Sequence, residues 1–583
     1  MGRDALLKNY WAWMTNGQPV SIRGLTGPAG RGKTRFALEL CRDAAEVNDW
    51  TAGFATSSEL SRFSAQANAA DWGWSMPALV VVDYAAGSAK ALRHWLDELA
   101  DNPQLSDPET GAKRPLRILL MDRSIDPDQA WWADLFCRRD GPGTMVAAML
   151  DRPEPQALPA IQEAANQRAI MNAVLDQAGA DLRVPEEGQD PAWDRALDPA
   201  QTAWAGDPLF LMMAALLAKE KDIAQVFALS RQDLAFELAA RERSRIARIA
   251  EERTGSHAQA RLLCHLAAAV TLLDGVDRAR LPALIEQEAQ ATGHALPEGW
   301  APVMALLSEI MAPRGDGADA LRPDMLGEAH PLTLLGDRGA STQDAAVARI
   351  AAHAPAQAGR VLIRACQNYA PAGREEPLRW LEAVFQDREI GSADDVLVLI
   401  EVANSLPADT LALRAFAARM FATIVQIARA QGAGPADHPR TPVLAVGLNN
   451  LAHRFSALGR REEALAAAEE AVTLRRALAA ARPDAFTPAL ATSLSVLGDQ
   501  HAGLAHWQAA LDAYAEAAQR LTPYMARLPQ AFGGLYVQNM RDLIRAMIAA
   551  GRDPAAIDAT IQDLNPPMDA LRAAGFFNQE GEA

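Results

Sequence analysis

Cysteine is scarce: Cys41, Cys137, Cys264 and Cys366 are the only four in 583 residues, far apart and without a C-x-x-C pair. That spacing argues against metal or redox chemistry, and the four read as reduced, mostly buried thiols of a cytoplasmic protein. Half of the residues are apolar, yet no uninterrupted apolar run approaches the roughly 20 residues of a membrane helix. The N-terminus, Met-Gly-Arg-Asp-Ala-Leu-Leu-Lys, lacks a basic region followed by a long apolar core, so no secretory signal is expected. Positive charge is also short, with 56 Lys and Arg against 73 Asp and Glu, a formal net charge of −17. Binding to a nucleic-acid backbone rests on clustered Lys and Arg, so nucleic acid is not the expected partner. The length is too great for one core and implies several domains.

Against these absences stands one strong local signal. Gly27-Pro28-Ala29-Gly30-Arg31-Gly32-Lys33-Thr34 fits the P-loop pattern G-x-x-x-x-G-K-[ST]. Val20 to Leu25 before it alternates apolar and polar residues as a short strand does, and Arg35 to Cys41 after it has helical spacing. Glycines let the backbone wrap so that successive N–H groups point at phosphate oxygens, and the helix N-terminus adds its positive dipole end. Lys33 is expected to reach the β- and γ-phosphates and the Thr34 hydroxyl to ligate Mg2+.

Thr51 to Thr56 reads as a second strand, and Pro77 to Asp83 as a third, with four apolar residues, Leu79 to Val82, ending in a carboxylate. Ligands of open α/β sheets bind at the carboxyl ends of strands, which makes Asp83 a candidate second Mg2+ ligand. Leu116 to Met121 is a further buried strand, ended by Asp122-Arg123-Ser124, and an Arg at that tip is placed to contact a γ-phosphate. From about residue 150 helical patterns dominate, as in Ala157 to Ala178 and Leu209 to Lys219. Gly206-Asp207-Pro208 interrupts them, and Pro208 can start a new helix. Val303 to His330 suggests a helix followed by short strands and a turn, which suits a small winged-helix module.

The C-terminal part repeats itself. Gly459, Ala505 and Gly551 are evenly spaced by 46 residues, as are Ala464, Ala510 and Ala556, and Leu451, Leu497 and Leu543. Leu448, Leu451, Ala452, Phe455, Gly459, Ala464, Ala468 and Ala471 occupy the large, small and turn positions of a tetratricopeptide repeat. Small residues let the two helices of a hairpin approach, and a stack of hairpins offers a concave surface for a protein or peptide.

In order of features, the chain resembles the bacterial STAND class of P-loop NTPases with a tetratricopeptide-repeat sensor, relatives of the NACHT and NB-ARC switch proteins. The resemblance rests on Gly27 to Arg35, on Val80-Val-Val-Asp-Tyr-Ala85, on Arg117 to Ser124 with Trp131-Trp132, on Gly206-Asp-Pro-Leu-Phe210, and on Leu448 to Leu451 and Gly459 to Leu465 of the repeats. It implies a multidomain α/β plus α fold: an N-terminal helix and linker (1–20), a P-loop NTPase domain with a five-stranded parallel sheet (21–150), a helical domain (151–235), a winged-helix-like domain (236–340), a helical linker (341–435) and a repeat solenoid (436–583). It implies an ATP/ADP and Mg2+ site in which Gly27 to Arg35 cradle the nucleotide, Arg123 contacts the γ-phosphate and Pro208 packs near the adenine. It also implies a switch: ADP is held in a closed form, a protein ligand on the repeats loosens it, ATP enters, and subunits assemble into a homo-oligomer. Bacterial members commonly act in defence against phage.

Two departures from the family shape the expectation. Relatives often carry an acidic residue close after the Walker B Asp, whereas here the run is Asp83-Tyr-Ala-Ala-Gly87; without a near general base, hydrolysis is expected to be slow. Only about 20 residues precede the first strand, fewer than the roughly 50 a domain needs, so the effector is expected on a separate chain or on a segment outside this sequence. That effector is expected to dock near Asp4 to Met14, whose Leu6, Leu7, Tyr10, Trp11 and Trp13 either offer an apolar anchor or pack on the P-loop domain. His330 reads as an ordinary surface or turn histidine rather than as an ADP-sensing one. Rival readings are an ATP-driven remodelling enzyme and a STAND-type transcription regulator; neither a clear water-positioning carboxylate nor a basic helix-turn-helix stands out.

Overall fold

The computed structural model describes residues 2–47, 49–55, 59–60, 76–101, 114–123, 125, 130–136, 146, 149–152, 154–202, 204–221, 223–314, 317–336, 339–386, 388, 390, 392–407, 411–527 and 529–569. Ser124 and Cys137 lie outside the described residues. Five parallel strands form one sheet: β1 (Val20–Thr26), β2 (Thr51–Phe54), β3 (Ala78–Asp83), β4 (Leu116–Asp122) and β5 (Gln156–Ala157), in the order β2-β3-β4-β1-β5. Ile22 stands beside Ile118, and Val80 beside the same residue on its other side.

Both faces of this sheet are covered, which is why its strands read as apolar runs. One face, with Ile22, Val82, Ile118 and Leu120, packs against Leu92, Trp95, Trp131 and Trp132. The other, with Leu25, Leu79, Val81, Leu119 and Met121, packs against Phe36 and Leu40 of the helix after the P-loop and against Tyr10, Trp13 and Met14 of the N-terminal helix. The polar residues of β1 are therefore buried too. Ser21 accepts a hydrogen bond from Trp13 Nε1 at 2.9 Å, and Arg23 pairs with Asp151 at 2.8 Å while lying over the Tyr10 and Trp13 rings.

Of the two alternatives for the N-terminal helix, Asp4–Met14, the packing is that of the second. Tyr10, Trp13 and Met14 are core residues, and Leu6, Leu7 and Trp11 pack partly buried against the same cluster. The apolar face is spent on the parallel sheet, because it covers strand residues that would otherwise meet water.

Two further expectations change. Ala157 to Ala178 is not one helix: Gln156–Ala157 is β5, past the expected boundary at 150, and the helix begins only at Ala164. After the short pair Pro313–Arg314 and Gly317–Ala318, the chain returns to helix over Asp324–Leu335 rather than continuing as strands and a turn.

Most of the remaining described chain is helical, and one hydrophobic cluster runs from Met171 to Val496. Leu411–Ala430 is long and apolar enough by composition to cross a membrane, but half of it is buried among its neighbours, as in a core helix. Helices Thr441–Ala457, Arg461–Ala481, Pro483–Gly503, Trp507–Arg527, Pro529–Ala549 and Pro554–Leu564 follow. The 46-residue period is visible in their turns: Gly459, Ala505 and Gly551 all have left-handed φ values, 75°, 58° and 72°. The repeated small residues do what their size permits. Ala464, Ala468, Ala471, Ala510 and Ala517 are buried, and Gly498 lies so close to the Tyr514 ring that a Cβ there would stand 2.6 Å from it.

Candidate functional site

The P-loop joins the end of β1 to the helix Lys33–Val47, at the carboxyl edge of the parallel sheet. Its curvature comes from left-handed φ values at Gly30 (84°) and Gly32 (91°). Close packing makes the same demand, since a Cβ on Gly30 would lie 2.5 Å from the Phe210 ring. The Phe36 N–H bonds Gly32 O at 2.9 Å and closes the first helical turn. The earlier amides of that helix have no intrahelical acceptor and are available to an anion.

Three strand tips converge here. Thr26 Oγ1 at the end of β1 donates to Arg123 O at 3.2 Å and accepts from the Ile125 N–H at 3.1 Å, tying the P-loop to the tip of β4. Thr34 Oγ1 donates to Asp83 Oδ2 at 2.7 Å, which brings the hydroxyl and the β3 carboxylate together. Lys33 Nζ donates to the carbonyls of Gly27 and, at 3.4 Å, Pro28. Burial lowers the pKa of this ammonium to about 8, against the pull of the Asp83 carboxylate. Burial likewise raises Asp83 and Asp122 above the usual carboxylate range; Asp122 accepts from the Ala86 and Arg123 N–H groups at 3.1 and 2.7 Å.

The other expected residues divide. Arg31 leaves the loop to pair with buried Asp207 at 2.6 Å, and Arg231 pairs with the same carboxylate. Pro208 opens the helix Pro208–Ala218, and its Cγ would stand 3.7 Å from a Cβ on Gly32, so this proline packs directly on the P-loop. Ala29 packs partly buried against the helical core. Arg35 instead lies on the exposed face of its helix and pairs with Glu39 one turn further on. His330 is neither a surface nor a turn residue: it is fully buried in Asp324–Leu335, and burial lowers its pKa to about 4.

Arg123 projects away from the sheet into the helical layer. Its Nη2 pairs with Glu328 at 3.3 Å, and its Nη1 donates to Asn368 Oδ1 at 3.0 Å. Arg364 Nε pairs with the same Glu328 oxygen at 3.3 Å and lies 4.7 Å from the centre of the Tyr84 ring. The Tyr84 hydroxyl donates to Asp324, and Tyr84 itself holds a left-handed backbone, φ 52°, directly after Asp83. Tyr84, Asp324, Glu328, Arg364 and Asn368 escaped sequence reasoning. The available signal was spacing: Asp324 and Glu328 are four apart on one helix, Arg364 and Asn368 four apart on Pro355–Tyr369, so each pair shares a face.

The donor set suits a nucleotide with Mg2+. Among the described residues no group of three His, Cys, Asp or Glu is placed to hold a metal ion. Mg2+ is commonly held by one or two carboxylates together with substrate phosphates and water, and Thr34 with Asp83 supplies that protein share. The three described cysteines, Cys41, Cys264 and Cys366, are buried free thiols whose pKa values burial pushes up to about 11, 11 and 12.

No family model and no curated protein matches this chain. Among solved structures, one similar chain is a signal transduction ATPase with numerous domains (STAND) protein with a tetratricopeptide repeat sensor from Pyrococcus horikoshii, 11% identical, with 100% of this chain and 93% of that chain covered. Its TM-score is 0.23, so the two chains do not superpose as wholes.

Proposed function

We propose that this chain is an ATP-dependent signal-transduction switch of the STAND type, binding ATP or ADP with Mg2+ and hydrolysing ATP slowly. The observation that carries this reading is the Thr34–Asp83 contact at 2.7 Å beside Lys33, built at the carboxyl edge of a parallel sheet on a loop shaped by Gly30 and Gly32. In this reading the loop amides and Lys33 hold the phosphates, Thr34 and Asp83 hold Mg2+, and Pro208 borders the nucleotide. Bound Mg2+ supplies neutralisation of phosphate charge. No carboxylate follows Asp83 closely in the chain, and Tyr84 is engaged with Asp324; this supports slow turnover and favours a switch over a remodelling motor.

The stacked helices from about residue 441 onward are the proposed sensor for a protein or peptide, with assembly into a homo-oligomer and activation of a separate effector as output. A cytoplasmic role in anti-phage defence is part of the same proposal. The winged-helix assignment belongs here as well; it is supported by the Pro313–Arg314 and Gly317–Ala318 pair and by its bridge from Val276 to Ala318.

Arg123 provides the test. A guanidinium that reads the γ-phosphate serves ATP and not ADP, so Arg123→Ala should weaken ATP at least tenfold while moving ADP by less than threefold, as read by calorimetric titration. Equal losses for both nucleotides would remove Arg123 from that role.

A further inference from the structure

A cleft of about 570 Å³, part of it open to solvent, lies between the tips of β3 and β4 and the helices Pro355–Tyr369 and Ala393–Asn404. That is within the roughly 300–1,000 Å³ of small-molecule sites. None of Gly27 to Arg35 lines it, nor does Asp83 or Pro208, so it is a second space beside the P-loop rather than part of it. Asp122 and Arg123 of the β4 tip form one wall. Arg360, Ile363, Arg364 and Gln367 form another, and their spacing of three and four places all of them on one side of their helix.

These walls hold the parts that recognise a nucleobase. Arg364 lies 4.7 Å from the centre of the Tyr84 ring, and this stacked pair together with the buried Trp131 indole gives the cleft planar surfaces against which a flat heterocycle can stack. The carboxamides of Gln367 and Asn404 line the same space, and among the described residues neither side chain makes a hydrogen bond. A carboxamide presents a donor and an acceptor side by side, as the edge of a base does. Arg123 adds a buried Nε–H that has no partner among the described residues. Its other nitrogens and those of Arg364 are held by buried Glu328, whereas Arg360 pairs at the longer distance of 3.8 Å with the half-exposed Glu401. A phosphate can meet such a guanidinium in bidentate geometry at closer range.

We propose that this cleft is a second nucleotide site, for a nucleoside monophosphate whose base stacks at Trp131 and Arg364 and bonds the Gln367 and Asn404 carboxamides while its phosphate meets Arg360. A single phosphate is the match, because Arg360 is the one guanidinium of the cleft not paired to Glu328. The site stands apart from the P-loop reading and does not depend on it. Its occupant touches the β4 tip and the face of Pro355–Tyr369 at once, and so bridges the sheet and the helical layer.

The test titrates the full chain calorimetrically with AMP, GMP, CMP and UMP, in the presence of Mg2+ and of ADP at a concentration that saturates the P-loop. At least one monophosphate should bind at a single site without displacing ADP. Gln367→Leu and Asn404→Ala should each weaken it about tenfold, and Arg360→Gln should erase its advantage over the corresponding nucleoside, while ADP affinity moves by less than about twofold in all three. All three side chains are partly exposed, so the variants should fold. Hydrogen exchange gives a readout that a general loss of stability does not mimic: the monophosphate should slow the amides of 360–367 in the wild type and not in Gln367→Leu. Binding of no monophosphate, binding abolished by ADP, or affinity unmoved in folded Gln367→Leu and Asn404→Ala overturns the second site and leaves the P-loop site standing. Failure of ADP to bind overturns the P-loop reading alone, and the same monophosphate titration without ADP then decides the cleft.

Discussion

Lys33→Ala should lower the affinity for ADP and for ATP by about a hundredfold, because it deletes the one full positive charge that the P-loop itself places among the phosphates. The Lys33 ammonium now rests on the carbonyls of Gly27 and Pro28 and stands in the field of Asp83 and Asp122. Its pKa, lowered to about 8 by burial, still leaves it charged at neutral pH. A hydrogen bond to a charged group contributes about 1.5–3 kcal/mol, and the stated hundredfold, about 2.7 kcal/mol, corresponds to the loss of one such phosphate contact. Lys33 belongs to none of the hydrophobic clusters, so the variant should fold. Unchanged affinity for both nucleotides in a folded Lys33→Ala protein would show that the loop is not a phosphate site.

The largest effect on stability is expected from Trp13→Ala, at about 3–5 kcal/mol in urea or guanidinium unfolding, the range for truncating a buried aromatic side chain. Trp13 is 2% exposed, meets Tyr10 edge-on at 5.8 Å between centroids, and gives its indole N–H to Ser21. Its removal leaves a cavity on the face of the sheet that also carries Leu25, Leu119 and the P-loop helix. It also strips cover from Arg23, a buried guanidinium that lies 5.1 Å from the centre of the Trp13 ring. A loss below about 1 kcal/mol would mean that the N-terminal helix is an appendage rather than a wall of the sheet's core.

The parts of this molecule that are set by local pattern were legible in its sequence. The P-loop, the apolar runs of β3 and β4 and the 46-residue spacing of Gly459, Ala505 and Gly551 each depend on residues a few positions apart. The parts set by packing were not. β5 is only Gln156–Ala157 and owes its strand geometry to pairing with Leu25 and Thr26. Asp324–Leu335 contains Gly327 and Pro331, both poor helix residues, and is held by its buried face, including Met325, Ala329, Leu332 and Leu335. Asp324 and Glu328 share a face only when their segment is helical, so a pattern of strand and turn there hides the partners of Arg123. His330 lies two residues from Glu328 on the same helix, which turns it away from that network and into the helical core. The alternation over Val20 to Leu25 does mark a strand, β1, and its polar residues Ser21 and Arg23 face a packed helix.

The central claim, that the P-loop of this chain binds a nucleotide with Mg2+, is tested most directly by calorimetric titration of the wild-type full chain with ADP and with a non-hydrolysable ATP analogue in the presence of Mg2+. A single tight site, for which Lys33 and Asp83 are both needed, is the expected result. Binding of neither nucleotide would contradict it.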